Sequence, residues 1–250
     1  MKHKTLYYSV VPVALLLIWQ AVATLKLVSP LFLASPCEVI ASFRASIQDF
    51  SLLIDAGHTL YRVIVSFVIA ALIGVPLGLL MGYSSRVYAL FEFTVEFFRS
   101  IPTTALFPLF LLMFGVGDQA KIAVAVWGAA LVILLDSMYG VHLGKELRRK
   151  VAKTMKIKGI LLFTKVIFPE ALPYIFSGFR IAISLCVVIV IVTEMFIGTT
   201  AGLGQKIIDA QMVYQTPDMY VGIITTGLIG YALSKLMMAI EKRVVHWSGK

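Results

Sequence analysis

Lys145-Glu-Leu-Arg-Arg-Lys-Val-Ala-Lys-Thr-Met-Lys-Ile-Lys158 lies between two long apolar spans and runs on through Gly159 to Pro169-Glu-Ala-Leu-Pro173. Seven of those first fourteen residues are Lys or Arg, in a chain of 250 residues that is only 14% charged. A segment so cationic cannot sit in lipid, and positive charge on short loops marks the cytoplasmic side of a membrane protein. The segment therefore sets a topology and gives a soluble partner something to grip.

The rest of the chain is what such a loop needs around it. It is 60% hydrophobic with a mean hydropathy of +0.93, far too apolar for the surface of a soluble domain. Only helices or closed barrels satisfy every backbone group in lipid. A barrel would show strands of alternating polarity, whereas this chain has continuous apolar runs, so the expected class is an all-α polytopic membrane protein. The net charge of +9 gathers in short loops beside the spans, which membrane orientation explains without nucleic acid. Cys37 and Cys186 fall at different depths and are expected to remain ordinary thiols.

Six transmembrane helices are legible, at about 6–26, 60–82, 88–115, 120–141, 172–197 and 218–240, each long enough for ~30 Å of hydrocarbon. The first follows Lys2 and Lys4 and ends near Ala21-Val-Ala23, as a signal peptide would. Its run from Leu6 to Leu25 is of span length, and a retained helix is expected. Placing 145–169 in the cytoplasm puts both termini there too. Lys2, Lys4, Arg86, Lys242, Arg243 and Lys250 then fall on the same side, and Lys26, Arg44, Lys121, Lys206 and Arg62 on the other.

Between the first two spans, Ser35-Pro-Cys-Glu38 has the form of a helix-capping box, and Val39, Ile40, Phe43, Ile47 and Phe50 recur at helical spacing. An amphipathic helix at the outer interface is expected. Gly74-Val-Pro-Leu-Gly78 and Gly82 would let helices approach closely. Pro102 and Pro108 should each interrupt the third span, with Arg99, Ser100, Thr103 and Thr104 around the first break. Residues 198–204 read as an outer loop, 207–214 as a short helix, and Pro217 as the opening of the last span.

No soluble catalytic constellation, Walker lysine or metal-ligand pattern is present. His3, His58, His142 and His246 are scattered, and interfacial packing is the expected role of each rather than metal or proton work. Charges within spans are costly and so more informative. Arg99, Ser100, Pro102 and Thr103 at the break, and Thr193 with Glu194 in the fifth span, are candidate translocation-pathway residues. Glu92, Glu96, Asp136, Arg180 and Lys235 are intramembrane charges too. For Glu92, Asp136, Arg180 and Lys235, snorkelling from a helix end is an equal alternative.

In the basic segment, Leu147, Val151 and Met155 form one apolar stripe, with Arg149, Lys150, Lys153 and Lys156 around it. Gly159 is expected to break this helix, and Ile160 to Phe168 to form a second one against the membrane face. The pair makes a cytoplasmic knob more elaborate than topology requires.

At this knob the chain resembles the inner-membrane permease subunits of binding-protein-dependent ABC importers, in particular the nitrate, sulfonate and taurine group. That family's coupling segment carries an EAA element, a glycine four residues after its second alanine, and a proline-rich end. Ala152 aligns with the second alanine and Thr154 follows. Val166, Pro169-Glu-Ala-Leu-Pro173, Gly178 and Arg180 match the end. Leu33-Ala-Ser-Pro36, Gly57-His-Thr-Leu60 with Arg62, Gly74 to Gly78, Arg99-Ser-Ile-Pro102, Phe114-Gly-Val-Gly117 with Lys121, and Gly202-Leu-Gly204 extend the likeness over nearly the whole chain. Lys150 stands where the motif has glutamate, and Lys156 where it has glycine.

The resemblance implies a type I importer bundle in the bacterial inner membrane whose coupling segment, 143–169, docks on an ATPase. Leu147, Lys150, Val151, Ala152, Lys153, Thr154, Met155, Lys156, Gly159 and Pro169 are its expected coupling residues. It further implies a homodimer or paired permease, two cytoplasmic ATP-binding subunits, an extracytoplasmic solute-binding protein meeting loops near 115–121 and 198–217, and contact with membrane lipid. No cofactor is expected in this chain, since ATP and Mg would bind the partner ATPase. The rival reading is a stand-alone secondary transporter or channel using Arg99 and Glu194; an integral membrane enzyme would need a cluster of reactive side chains at one depth.

Overall fold

The computed structural model describes residues 2–143, 151, 152 and 154–248, which contain helices and connecting turns and no strand. The helices are α1 (Lys2–Thr24), α2 (Pro36–Gln48), α3 (Ser51–Tyr83), α4 (Ser85–Ser100), α5 (Phe107–Phe114) and α6 (Asp118–His142). After the basic segment come α7 (Gly159–Ile197), α8 (Leu203–Met212) and α9 (Thr216–Val244). By length and composition α3, α6, α7 and α9 can cross a membrane. The first expected span, 6–26, corresponds to α1, of which Val10–Thr24 is an apolar helix.

The third expected span is broken more sharply than its prolines suggested. α4 and the following segment, Thr103–Phe114, meet at 88°. The break lies at Ile101-Pro102 and a single 3₁₀ turn, Thr103–Leu106. Pro108 does not interrupt anything: it sits in the first turn of α5, where a missing N–H removes no helical bond.

The core is the packing of α3, α6 and α7. Gly74, Gly78 and Gly82 recur every fourth residue on α3 and face α6. A Cβ at Gly74 would lie 2.8 Å from the Ala130 carbonyl oxygen, one at Gly82 2.6 Å from Val141 Cβ, and one at Gly78 would collide with the Leu134 carbonyl. Lipid gives helices no hydrophobic reason to associate, so close backbone approach and dispersion hold this pair. The matched numbers rise together, which makes α3 and α6 parallel. On the other side Gly128 meets Ile189, Gly178 meets Asp136, and Gly140 meets Ala171 and Tyr174. Those numbers run in opposite directions, so α7 is antiparallel to both.

This arrangement gives the core two distinct ends. The basic segment joins α6 to α7 at one end, where Leu79, Val141, Ile167, Ala171 and Ile175 pack together. The opposite end gathers the start of α3, the start of α6 and the finish of α7. α2 begins with the capping box expected from its sequence, Ser35 accepting from the Glu38 N–H and Glu38 from the Ser35 N–H. That donation holds the Glu38 carboxyl below its ordinary range. Trp19 Nε1 donates to the Ala34 carbonyl at 2.9 Å, and Ser42 hydrogen-bonds Asp218, so α2 is fastened to both α1 and α9. Cys37 is exposed and Cys186 buried, and both are free, as expected.

Candidate functional site

At the end that carries the basic segment, the chain leaves a helical turn through a left-handed residue. Met155 N–H bonds the Val151 carbonyl at 3.1 Å and Ile157 N–H reaches back to the Ala152 carbonyl at 3.0 Å. Lys156 has φ +56°. This is the closure that ends many helices, with one left-handed residue usually supplied by glycine. A non-glycine side chain there costs about 1–2 kcal/mol. The helix therefore stops before Gly159, which instead opens α7 with φ +60°. Gly159 as the helix breaker is corrected to Lys156.

The second expected knob helix is corrected as well. Ile160 to Phe168 is not a separate helix but the beginning of α7, which passes through a π turn at Phe163–Ile167. Pro169 has no N–H for the Lys165 carbonyl, and the Phe168 N–H bonds Phe163, five residues back. One residue is thereby absorbed and the helix continues.

Ala152 is 3% exposed, whereas Val151 and Met155 are 50% and 68% exposed. The small residue thus faces the protein and the apolar stripe faces outward. Val151, Met155, Val166, Pro169 and Trp247 line a cavity of about 540 Å³. Thr154 donates to the Val151 carbonyl. Leu147, Lys150 and Lys153 lie outside the described residues.

The opposite end holds a buried ionic cluster. Arg62 Nη1 donates to Glu194 Oε1 at 2.6 Å and to the Ala201 carbonyl at 2.9 Å; Nε and Nη2 both reach Asp118 Oδ1 at 2.8 Å, and Nη2 also reaches Thr199 Oγ1 at 3.2 Å. Every guanidinium nitrogen thus donates at least one hydrogen bond, and Nη2 adds an ion-pair contact with Asp118. Glu194 is fully buried and also accepts from Thr59 Oγ1 at 3.0 Å and from the Gly204 N–H at 2.9 Å. Leu203 N–H donates to Thr59. Thr59 and Glu194 therefore satisfy free N–H groups in the first turn of α8, with a carboxylate at its positive end. Lys121, 1% exposed, donates to the Gly198 carbonyl at 2.9 Å, and Asp55 accepts from Gly202 N–H.

The Gly202-Leu-Gly204 spacing follows from this crowding. A Cβ at Gly202 would sit 2.7 Å from both Arg62 Nη1 and the Glu194 carboxyl carbon, and φ there is +145°. At Gly204 a Cβ would lie 2.6 Å from Glu194 Cβ and strike the Ile191 carbonyl.

The pathway candidates are not brought together. Arg99 pairs with Glu96 on the same helix face at 2.6 Å, with about half of each side chain exposed, and Ser100 bonds the Glu96 carbonyl. Pro102 marks the bend, and Thr103 packs against Gly128 of α6. Thr193 is fully buried and donates to the Val190 carbonyl. Glu194 belongs to the Arg62 cluster, so Arg99 and Glu194, the two residues the rival transporter reading would use, belong to separate ion pairs. Arg62 and Asp118 were not among the intramembrane charges singled out from the sequence. A signal did exist, because a buried Glu194 needs a cation at the same depth, and only Arg62 and Lys121 qualify. Of the other span charges, Arg180 lies 3.5 Å from Glu241, and Lys235 sits over the Tyr231 ring.

Residues 74–247 match the family described as "Binding-protein-dependent transport system inner membrane component". The chain is similar to a putative aliphatic sulfonates transport permease of Bacillus subtilis, 28% identical over 94% of this chain and 85% of the relative. A taurine transport system permease of Escherichia coli is 29% identical over 94% and 87%. A nitrate import permease of Leptolyngbya laminosa is 32% identical over 81% and 72%. In fold the chain is similar to a chain of the inward-facing MetNI methionine ABC transporter, with TM-score 0.67, 22% identity and coverage of 78% and 96%. A chain of an amino acid ABC transporter gives TM-score 0.61, 18% identity and coverage of 80% and 97%. The chain belongs to the binding-protein-dependent transport system inner membrane components, the multi-pass permease subunits of ABC importers, and is a transport subunit rather than an enzyme.

Proposed function

We propose that residues 151–169, with the preceding basic stretch, form the element through which a cytoplasmic ATPase drives this permease. The observation that carries the reading is the surface at Val151 to Lys156. It presents Val151 and Met155 outward beside a left-handed Lys156, in the position where the family's motif has its glycine. An apolar stripe rimmed by lysines fits an acidic-edged apolar groove on the partner. The segment lies on the cytoplasmic side, with both termini there, and the Arg62 end faces outward.

Two permease chains line the pathway, two ATPases bind ATP and Mg below it, and a solute-binding protein delivers substrate from outside. Closing of the ATPases pushes the coupling segments and rocks the bundles between inward and outward access. The substrate is a small anionic organic solute of the sulfonate kind or a small inorganic anion, the chemistry that the relatives' names share. The whole chain acts as one permease domain.

Joint reversal of Lys153→Glu and Lys156→Glu tests the coupling. Removing two cation contacts should lower stimulated ATPase and uptake by at least about tenfold, while membrane insertion is unchanged. Unchanged uptake by that variant would place the coupling elsewhere.

A further inference from the structure

We infer that Arg62 and Glu194 are positioning residues that keep the 198–204 loop fastened to α3 throughout transport, so that α3, α6 and α7 move as one body. The inference rests on the importer reading above and adds which parts of the bundle stay together.

The cluster is built as a permanent staple. One guanidinium joins α3 to Glu194 near the finish of α7, to Asp118 at the start of α6 and to two loop residues, Thr199 and Ala201. Each of the three Arg62 nitrogens already has a protein acceptor. Both Glu194 oxygens are occupied, one by Arg62 and the other by Gly204 N–H, with Thr59 between them. Lys121 clasps the same loop at Gly198, and Asp55 clasps it at Gly202. A gate that opened here would give up the Arg62 bonds to Thr199 and Ala201 and the Glu194 bond to the Gly204 N–H, charge-assisted contacts that are costly to lose. At Gly202 and Gly204 the loop backbone lies so close to Arg62 and Glu194 that a Cβ would not fit.

The staple sits at the far end of one unbroken helix. α7 starts at Gly159, directly after the coupling turn, and reaches Glu194 one turn before its finish. At 1.5 Å per residue that is roughly 55 Å. A push on the coupling turn therefore reaches the outer loop along a single rod whose tip is riveted to both neighbouring helices. Access must change between bundles, not within one.

Cross-linking tests this. Ser51 Oγ and Lys206 Nζ meet at 3.2 Å across α3 and α8. Ser51→Cys with Lys206→Cys, in a Cys37→Ser background, is joined by a bifunctional maleimide carrying a reducible disulfide and reconstituted with ATPase and binding protein. The linked permease should import at the rate of the unlinked one. Uptake lost on linking and regained on reduction would overturn the inference, because the loop would then have to leave α3. Uptake that is absent even from the wild-type assembly would instead overturn the importer reading.

A second readout separates positioning from mere folding. Glu194→Gln should raise the binding-protein concentration for half-maximal ATPase stimulation by about tenfold, the scale of a lost charge-assisted bond. Should that variant fail to assemble, Asp55→Ala, which removes only the Gly202 anchor, should raise it by about threefold. Unchanged half-saturation in the variant that assembles would also overturn the proposal.

Discussion

Gly78 shows how a single missing Cβ decides the packing of two membrane helices. Its neighbours on α6 are the Leu134 carbonyl and Ser137 Cβ, and neither is the movable end of a flexible side chain. Gly78→Ala should therefore destabilise the bundle by about 1–3 kcal/mol, seen as a lower melting midpoint in detergent. Gly57 and Gly227 have nothing within 4 Å of a Cβ. Alanine there should raise the midpoint slightly, by up to about 1 kcal/mol of helix propensity. Equal effects at all three sites would refute the close-approach account. Lys156 is the converse case, a long side chain held at φ +56° where the family's pattern has glycine. Its side chain is exposed beside Val151 and Met155.

Elements were legible where the cause is local. The Ser35 and Glu38 box and the start of α9 at Pro217 rest on residues a few positions apart, and the short helix expected at 207–214 is present but runs from Leu203 to Met212. Local reading failed where one residue has several uses. Pro108 read as a breaker but serves as a helix opener, and Gly159 read as a stop but begins α7 because Lys156 had already made the turn. The Arg62–Glu194 pair was not legible as a pair, since its partners lie 132 positions apart. At the element scale the π turn before Pro169 is the testable feature. Pro169→Ala supplies an N–H for the Lys165 carbonyl and should return the turn to α register. That rotates residues 159–165 by roughly 100° relative to the span. Uptake should fall several-fold with insertion intact, on the scale set by misplaced contact groups. Full uptake would show that the π register is dispensable.

At the scale of the whole molecule, two parallel helices and one antiparallel helix place every functional feature at one of two ends. The basic segment, Lys156 and the Val151–Met155 stripe share one end; Arg62, Glu194, Lys121 and the 198–204 loop share the other. The all-α membrane class could be read from charge and hydropathy, because lipid imposes those patterns on any chain that crosses it, whereas the family was legible only through its resembling motifs, such as Pro169-Glu-Ala-Leu-Pro173 and Gly202-Leu-Gly204. The separation of the Val151–Met155 end from the Arg62–Glu194 end needed the three-dimensional pairing.

The most direct test of that division is site-specific cross-linking in the assembled transporter. Met155 and Val213 are both well exposed, at 68% and 62%, and lie toward opposite ends. A photoactivatable thiol reagent on Met155→Cys should capture a co-purifying ATPase subunit, and the same reagent on Val213→Cys should not. Capture of the ATPase from Val213→Cys, with none from Met155→Cys, would contradict the account.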